Sequence, residues 1–358
     1  MRDFSLADNG ALAGRLRPFL LTATVTLLAT VVLLVYATPI SYMFVTSLKN
    51  ETIIGDPFAP LFWPAQPVGF EYEGEEYPLY NVPTEDGNQQ WALVEKGRQQ
   101  SGFIDPNNQS AGLIEWEGRW RELNPAWRFS PQWTNFPESW ERLDFGNKLV
   151  NSLIITVVGV VGTIVSSVMV AYGFARFRVP GLNIMFALLI GTLLLPREIL
   201  NVPLFAFYNQ IGWIGTFWPL IVPHFFANAL YVFLLRQYFR TLSRDVDEAA
   251  MIDGASPAQI LWHLIVPQSL PMIATVGLLQ FFFLWRDFYG PALYLAAAPE
   301  RQPIALKLLS LGLGFGFEPH LVQAASIMAL VLPLIVFLLT QRTILEGVAI
   351  FGRNSVGK

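Results

Sequence analysis

Two pairs of charged residues sit inside otherwise apolar runs of this chain, Arg197–Glu198 after Pro196 and Arg286–Asp287 after Trp285. Charge in hydrocarbon is costly, so such groups face a pathway, a partner or each other. Trp285, Arg286 and Asp287 combine an aromatic face with hydrogen-bonding neighbours, which suits a neutral polyhydroxylated ligand with apolar faces and a polar rim. An ion pair to a second chain that fixes helix packing accounts for the same residues. The remaining chemistry is thin. His224, His263 and His320 lie far apart with no two-ligand spacing, and are expected to be interfacial polar groups rather than metal ligands. Cysteine is absent, which removes disulfides, thiolate metal sites and cysteine nucleophiles. No G-x-S-x-G stretch occurs, and no membrane helix carries a pair of carboxylates. The stretch GRNSVGK at Gly352–Lys358 fits half of a phosphate-binding loop, but no buried strand precedes it and no Ser or Thr for Mg²⁺ follows in the sequence. Catalysis, a bound cofactor and a metal are therefore not expected on this chain.

What must position these residues is a set of long apolar elements. Of 358 residues 53% are hydrophobic and 14% charged, against roughly 25% charged in a soluble domain. Uncharged runs reach or approach the ~20 residues that cross ~30 Å of hydrocarbon. Their spacing predicts an all-α polytopic membrane protein with six transmembrane helices, at Phe19–Leu48, Leu149–Phe174, Leu182–Phe207, Thr216–Leu235, Leu270–Leu295 and Leu321–Thr340. Counted as straight helices, both charged pairs lie ~22 to 24 Å from the inner ends at 1.5 Å per residue, in the outer half. Arginine and lysine cluster before helix 1 and after helices 2, 4 and 6, whereas the opposite short loops hold only Arg301 and Lys307. This bias predicts a multi-pass protein with cytoplasmic N- and C-termini. Helix 1 is expected to be retained as an anchor rather than cleaved.

The expected organisation is an N-terminal tail with helix 1 (residues 1–49), an outward segment (50–148), a core of helices 2–6 (149–345) and a cytoplasmic tail (346–358). The outward segment carries 7 Lys and Arg against 16 Asp and Glu, and seven of the eleven tryptophans. A long acidic loop can be translocated without violating the positive-inside bias, which is read over short loops. Its stretches EYPLYNV, QQWALVEKG and GLIEWEGRW, separated by PTEDGN and DPNNQSAG, predict a small antiparallel β-rich insertion at about 68–128, between helices 1 and 2. Docking of an external protein and a decorated loop with no partner are the two readings.

One polar stretch interrupts the apolar pattern, DEAAMIDGASPAQILWHLIVPQSLP from Asp247 to Pro271. Ser243 can cap a first short helix, with Asp245, Asp247 and Glu248 placing negative charge in its first turn, where the dipole favours it. Gly254 supplies a left-handed stop, and Ser256 and Pro257 restart the helix as N-cap and first helical residue. Pro267 and Pro271 then turn the chain into helix 5. The result is a small helix carrying Ala249 and Ala250, standing off the membrane.

Glu248, Ala249, Ala250, then Gly254, then Leu264–Pro267 resembles the EAA loop of ABC importer permeases, E-A-A-x3-G-x9-I-x-L-P, with Leu264 and Val266 as conservative departures. A bare EAA triplet is no signal; the whole set at fixed spacing is. The likeness extends to FSPQWTNFPESW, to NSLIITVVGVVGTIVSSVMVAYGFARFRVPG and to LLPREILNVPLFAFYNQIGW, which resemble the carbohydrate-uptake branch and its shorter, maltose-type permease subunit. It covers most of residues 18–60 and 129–345; the insertion is not part of the usual pattern. In that branch the LWRDFYGPALY position commonly has W-N-D or W-N-E, from which Arg286 departs. The resemblance implies a permease in the cell inner membrane that imports a sugar or oligosaccharide delivered by an extracytoplasmic binding protein. It implies a second permease subunit, two ABC ATPase subunits that bind the ATP, contact with membrane lipid and none with nucleic acid. The coupling loop at 243–271 would act through Glu248, Ala249, Ala250, Asp253, Gly254 and Pro267, and Trp285, Arg286 and Asp287 would line the pathway. An importer for a non-sugar solute is the near alternative. An ion-coupled secondary transporter is the distant one, predicting inverted repeats and a membrane-embedded carboxylate; no repeat is visible.

Overall fold

The structure, a computed structural model, describes residues 8–84, 87–312 and 318–355, with side chains between residues 20 and 341 except Arg197. The side chains of the 346–358 tail and of Arg197, about which the sequence raised expectations, lie outside the described residues. The chain divides into two compact units, Met1–Phe136 with Pro319–Ala324, and Pro137–Glu318 with Ala325–Lys358.

In the first unit, helix α1 (Asp8–Ser47) leads into a β-rich segment. Its window from Leu20 to Ser47 is long and apolar enough to cross a membrane and is not buried within the described chain. Strands β2 (Gly69–Tyr72), β3 (Glu75–Thr84), β4 (Gly87–Glu95), β5 (Gln100–Ile104) and β6 (Ile114–Glu117) form an antiparallel meander in sequence order. Strands β1 (Ala65–Pro67) and β7 (Trp127–Phe129) pair antiparallel, Ala65 opposite Phe129 and Pro67 opposite Trp127. Because successive side chains point to opposite faces of a strand, neighbours such as Ala92 and Leu93, or Phe103 and Ile104, go to different sides. The meander accordingly has two small cores. One holds Leu79, Ala92, Ile104 and Ala126; the other holds Val82, Leu93, Phe103 and Leu123 with Trp91, Trp116 and Trp120 packed on it. Of the strands named from the sequence, EYPLYNV and QQWALVEKG became β3 and β4, and part of GLIEWEGRW became β6. The short QSGFI strand β5 was not anticipated. A glycine mid-strand weakens the pattern, but here Gly102 lies against the Leu113 side chain, which an added Cβ would approach to 2.8 Å.

In the second unit, α3 (Phe145–Arg176) is the central helix, after a short α2 (Asn135–Arg142) that starts at the unit boundary. It packs on α7 (Ala229–Phe239) and α11 (Leu270–Trp285), with Val168, Ala171, Tyr172 and Ala175 meeting Val232, Leu235, Phe239, Met272 and Val276 in the main buried cluster. Close approach is permitted by two glycines. A Cβ at Gly159 would come within 2.6 Å of Leu284, and one at Gly162 within 2.7 Å of the Phe225 ring.

Four described helical spans are long and apolar enough to cross a membrane, Leu20–Ser47, Phe145–Arg176, Trp218–Phe239 and Pro319–Gln341; two bent pairs raise the number to six if each is one span. The expected helix 3, Leu182–Phe207, is not one straight rod. It is α4 (Leu182–Gly191) with a 3₁₀ turn to Leu194, then α5 (Arg197–Gln210), bent by 98°. Pro196 is the cause, since the residue before a proline is pushed out of the helical region, and Leu195 sits at φ −79°, ψ 120°. A depth counted along a straight helix therefore does not apply to Arg197 and Glu198; Glu198 lies in the first turn of α5, where the dipole favours it. The expected Leu270–Leu295 helix likewise stops at Trp285, and α12 (Tyr289–Tyr294) follows as a separate turn after α6 (Trp218–Ile221), α8 (Arg244–Ile252), α9 (Pro257–Ile260) and α10 (Val266–Gln268) have been passed. Helix α13 (Ile304–Gly312) precedes the long α14 (Pro319–Ser355).

Candidate functional site

The polar stretch folds as its local chemistry dictates. The Ser243 side chain accepts the Asp245 N–H at 3.2 Å and opens α8. The helix ends at Ile252, with Asp253 as C-cap, and Gly254 follows at φ +86°, in the left-handed region that favours glycine. No atom lies within 4 Å of where a Gly254 Cβ would stand, so the backbone and not crowding dictates glycine. Ser256 and Gln259 then form a reciprocal capping box, with Pro257 in the first turn of α9. Between α9 and α10 the turn widens to π-helix over Leu261–Ile265. Pro267 lies in α10, where its ring would collide with a regularly spaced carbonyl one turn back, and the wider turn relieves that conflict. The chain bends by 81° into α11 at Ser269, next to Pro271.

One face of α8 is open. Glu248, Ala249, Asp253 and Gly254 are exposed, and so are the apolar side chains of Val246, Met251 and Ile252, the last 87% exposed. Ala250 is half-buried and packs against the main cluster with Ala255, Leu264 and Val266, while Pro267 is exposed. An apolar, small-residue surface flanked by carboxylates is thus left uncovered among the described residues. Ile252 and Met251 escaped the sequence reading, and their exposure on a short helix with an apolar stripe is visible only once the buried side is known.

The opposite face is held by Asp247, which lies in the first turn as expected but whose ion pair the sequence reading did not foresee. Arg176 Nε lies 2.8 Å from Asp247 Oδ2, and both side chains are almost fully buried. The contact is electrostatic, without hydrogen-bond alignment, and Oδ1 has no hydrogen-bond partner. Burial pushes the Asp247 carboxyl above its ordinary range, against the pull of the Arg176 and Arg244 guanidiniums. A cavity of about 440 Å³ opens beside the pair, lined by Tyr172, Arg176, Arg178, Arg244, Asp247 and Glu248 among others.

The second set of residues is built differently from a simple aromatic platform. Trp285 is buried and stacks on Phe281, ring centroids 5.8 Å apart, in a cluster with Phe145, Ile304, Ala325 and Ala329. Arg286 is exposed. Asp287 is half-buried, and its Oδ1 accepts the backbone N–H groups of Tyr289 at 3.1 Å and Gly290 at 3.3 Å, which starts α12. Nearby in sequence, Tyr289 is exposed and its hydroxyl accepts from Asn201 Nδ2 at 3.0 Å, tying α12 to α5. Of the histidines, His263 Nδ1 contacts the Gln259 carbonyl at 3.0 Å and His224 Nδ1 lies 3.2 Å from Gln280 Nε2.

Within the second unit, helices long and apolar enough to cross a membrane pack around α3, which is the build of an integral membrane protein. Residues 149–346 match the family described as binding-protein-dependent transport system inner membrane component, and the chain belongs to this family: it is a permease subunit of an ABC importer. Among the most similar relatives, the osmoprotective compounds uptake permease protein GgtD of Synechocystis is 33% identical over 57% of this chain and 68% of its own length. The alpha-glucoside transport system permease protein AglG of Rhizobium meliloti is 30% identical over 60% of this chain and 58% of its own. The sn-glycerol-3-phosphate transport system permease protein UgpE of Yersinia pestis is 30% identical over 60% of this chain and 79% of its own. The resemblance to sugar-type importer permeases drawn from the motifs thus holds.

Proposed function

We propose that this subunit carries a sugar or oligosaccharide across the inner membrane, and that α8 with Gly254 receives the movement of a separate ATPase subunit. The observation that carries this reading is the open face of α8, where Glu248, Ala249, Met251 and Ile252 are exposed on a helix whose other side is buried. In this reading six spans cross the membrane, each bent pair counting as one, with both termini and α8 cytoplasmic and the β-rich insertion outside. ATP binds to the ATPase subunits and none binds here; a second permease completes the pathway, and an external binding protein delivers the solute. The AglG relative, by its name, supports a glycoside. Exposed Arg286, with Asp287 and the Asn201–Tyr289 hydrogen bond, offers polar contacts to a hydroxylated solute. Trp285 acts behind them by packing, so Trp285→Ala lowers uptake by displacing its neighbours.

A second reading keeps the mechanism and changes the solute, because the UgpE relative is named for sn-glycerol-3-phosphate and Arg286 would favour an anion. The test is hydrolysis by the reconstituted complex, loaded in turn with α-glucosides and with glycerol phosphate on its cognate binding protein. Stimulation by a neutral glycoside supports the first reading, and stimulation by the phosphate alone supports the second. Failure of Gly254→Val and Glu248→Lys to alter either ATPase retention or stimulated hydrolysis removes the coupling role.

A further inference from the structure

The last four carbonyls of an α-helix have no partner within the helix. At the end of α3 two are taken by arginines from other elements. Arg236 Nε donates to Phe174 O at 3.2 Å, and Arg244 Nη2 donates to Ala175 O at 3.2 Å. Arg244 is the first residue of α8. The traffic also runs the other way. Arg176, the last residue of α3, sends Nη1 and Nη2 to Leu242 O at 3.3 and 3.2 Å, just ahead of α8, and its Nε lies against Asp247 Oδ2. The first turn of α8 is therefore bolted to the end of α3 in both directions, by side chains from each on the other.

We propose that Arg176 is a positioning residue for the coupling step, which with Asp247 and Arg244 makes α8 and the end of α3 move as one body. The proposal rests on the reading of α8 as the ATPase contact. A force on the open face of α8 then reaches α3, and through α3 the helices α7 and α11 packed along it. Stability alone does not explain the arrangement. Buried ion pairs are often matched or exceeded in stability by apolar residues of similar volume, and this one leaves Asp247 Oδ1 unsatisfied. What the pair supplies is direction. The planar guanidinium fork reaches a carbonyl and a carboxylate at once, an arrangement a lysine point charge cannot reproduce.

The test uses the whole complex, with both permeases, the ATPase subunits and the binding protein, reconstituted in membranes. The measured quantity is solute imported per ATP hydrolysed, alongside retention of the ATPase. The double variant Arg176→Met with Asp247→Leu removes the polar latch without leaving a lone buried charge. It should retain the ATPase while import per ATP falls about fivefold or more, the low end of coupling between sites. Arg176→Lys should lie between it and the wild type. Wild-type stoichiometry in the assembled double variant overturns the proposal. If that variant does not assemble, Arg176→Lys decides, and wild-type stoichiometry there overturns it equally. A wild-type complex whose α8 can be altered at Glu248 and Gly254 with no effect on ATPase retention or hydrolysis would instead remove the underlying reading of α8, a result the stoichiometry of the Arg176 variants does not mimic.

Discussion

At Gly254 the chemistry is that of one dihedral angle. The site has open space around it, so Gly254→Val fails through backbone strain, about 1 to 3 kcal/mol for a residue held in a sparsely populated region, and not through a clash. Asparagine tolerates the left-handed region, which ranks the variants: Gly254→Asn should keep most solute-stimulated hydrolysis, and Gly254→Val should lose about tenfold if 1.4 kcal/mol of strain falls on the docked state. Equal loss in both would point to side-chain intrusion at the partner. Glu248→Lys reverses one exposed charge, and its weakening of ATPase retention should shrink at high salt, because screening acts on exposed charges; a salt-independent loss would contradict a simple charge contact. These residues were legible from the sequence because capping and left-handed stops depend on neighbours within four positions, and Ser243, Gly254 and Ser256 all behave accordingly. The pairing of Asp247 was not, since its partner Arg176 stands far away in the chain and only the packing of α3 against α8 brings them together.

The central helix sets its own test. Adding a methyl or more at Gly162 drives it into Phe225, and overpacking costs about 1 to 3 kcal/mol, so Gly162→Val should lower the thermal stability of the purified subunit. Gly173, on the same helix with nothing within 4 Å of an added Cβ, is the control: Gly173→Ala should be neutral or stabilising by up to about 1 kcal/mol, from helix propensity alone. Destabilisation by both would mean that α3 packs elsewhere than described. The β-rich insertion is set between paired ends, Pro67 opposite Trp127. Deleting residues 68–126 therefore rejoins neighbours, and should spare membrane insertion while lowering uptake at limiting binding protein if the insertion docks it; unchanged uptake would leave it without that role. Apolar runs showed where the helices lie but not where they break, because a hydropathy pattern is blind to the backbone geometry imposed at Leu195 by Pro196. The meander was half legible because β5, QSGFI, carries a glycine mid-strand, which weakens a strand pattern.

For the molecule as a whole the proposed orientation is open to direct measurement, because the chain lacks cysteine and single cysteines can be introduced without background. Gln109 in the insertion and Ala258 in α9 are both exposed. A membrane-impermeant maleimide applied to intact cells should label Gln109→Cys and not Ala258→Cys, which should react only after permeabilisation; the reverse pattern would invert the topology. On that topology the meander also has a place in time. Each of its strands pairs with the next one to be synthesised, and proteins rich in such local contacts fold fast. The segment can thus complete its sheet on the far side of the membrane while later helices are still being made. The β1–β7 ribbon, and the bonds of residues 124–126 to β3, must wait for the end of the insertion to be made, so the closing of that ribbon reports that the whole insertion has been delivered.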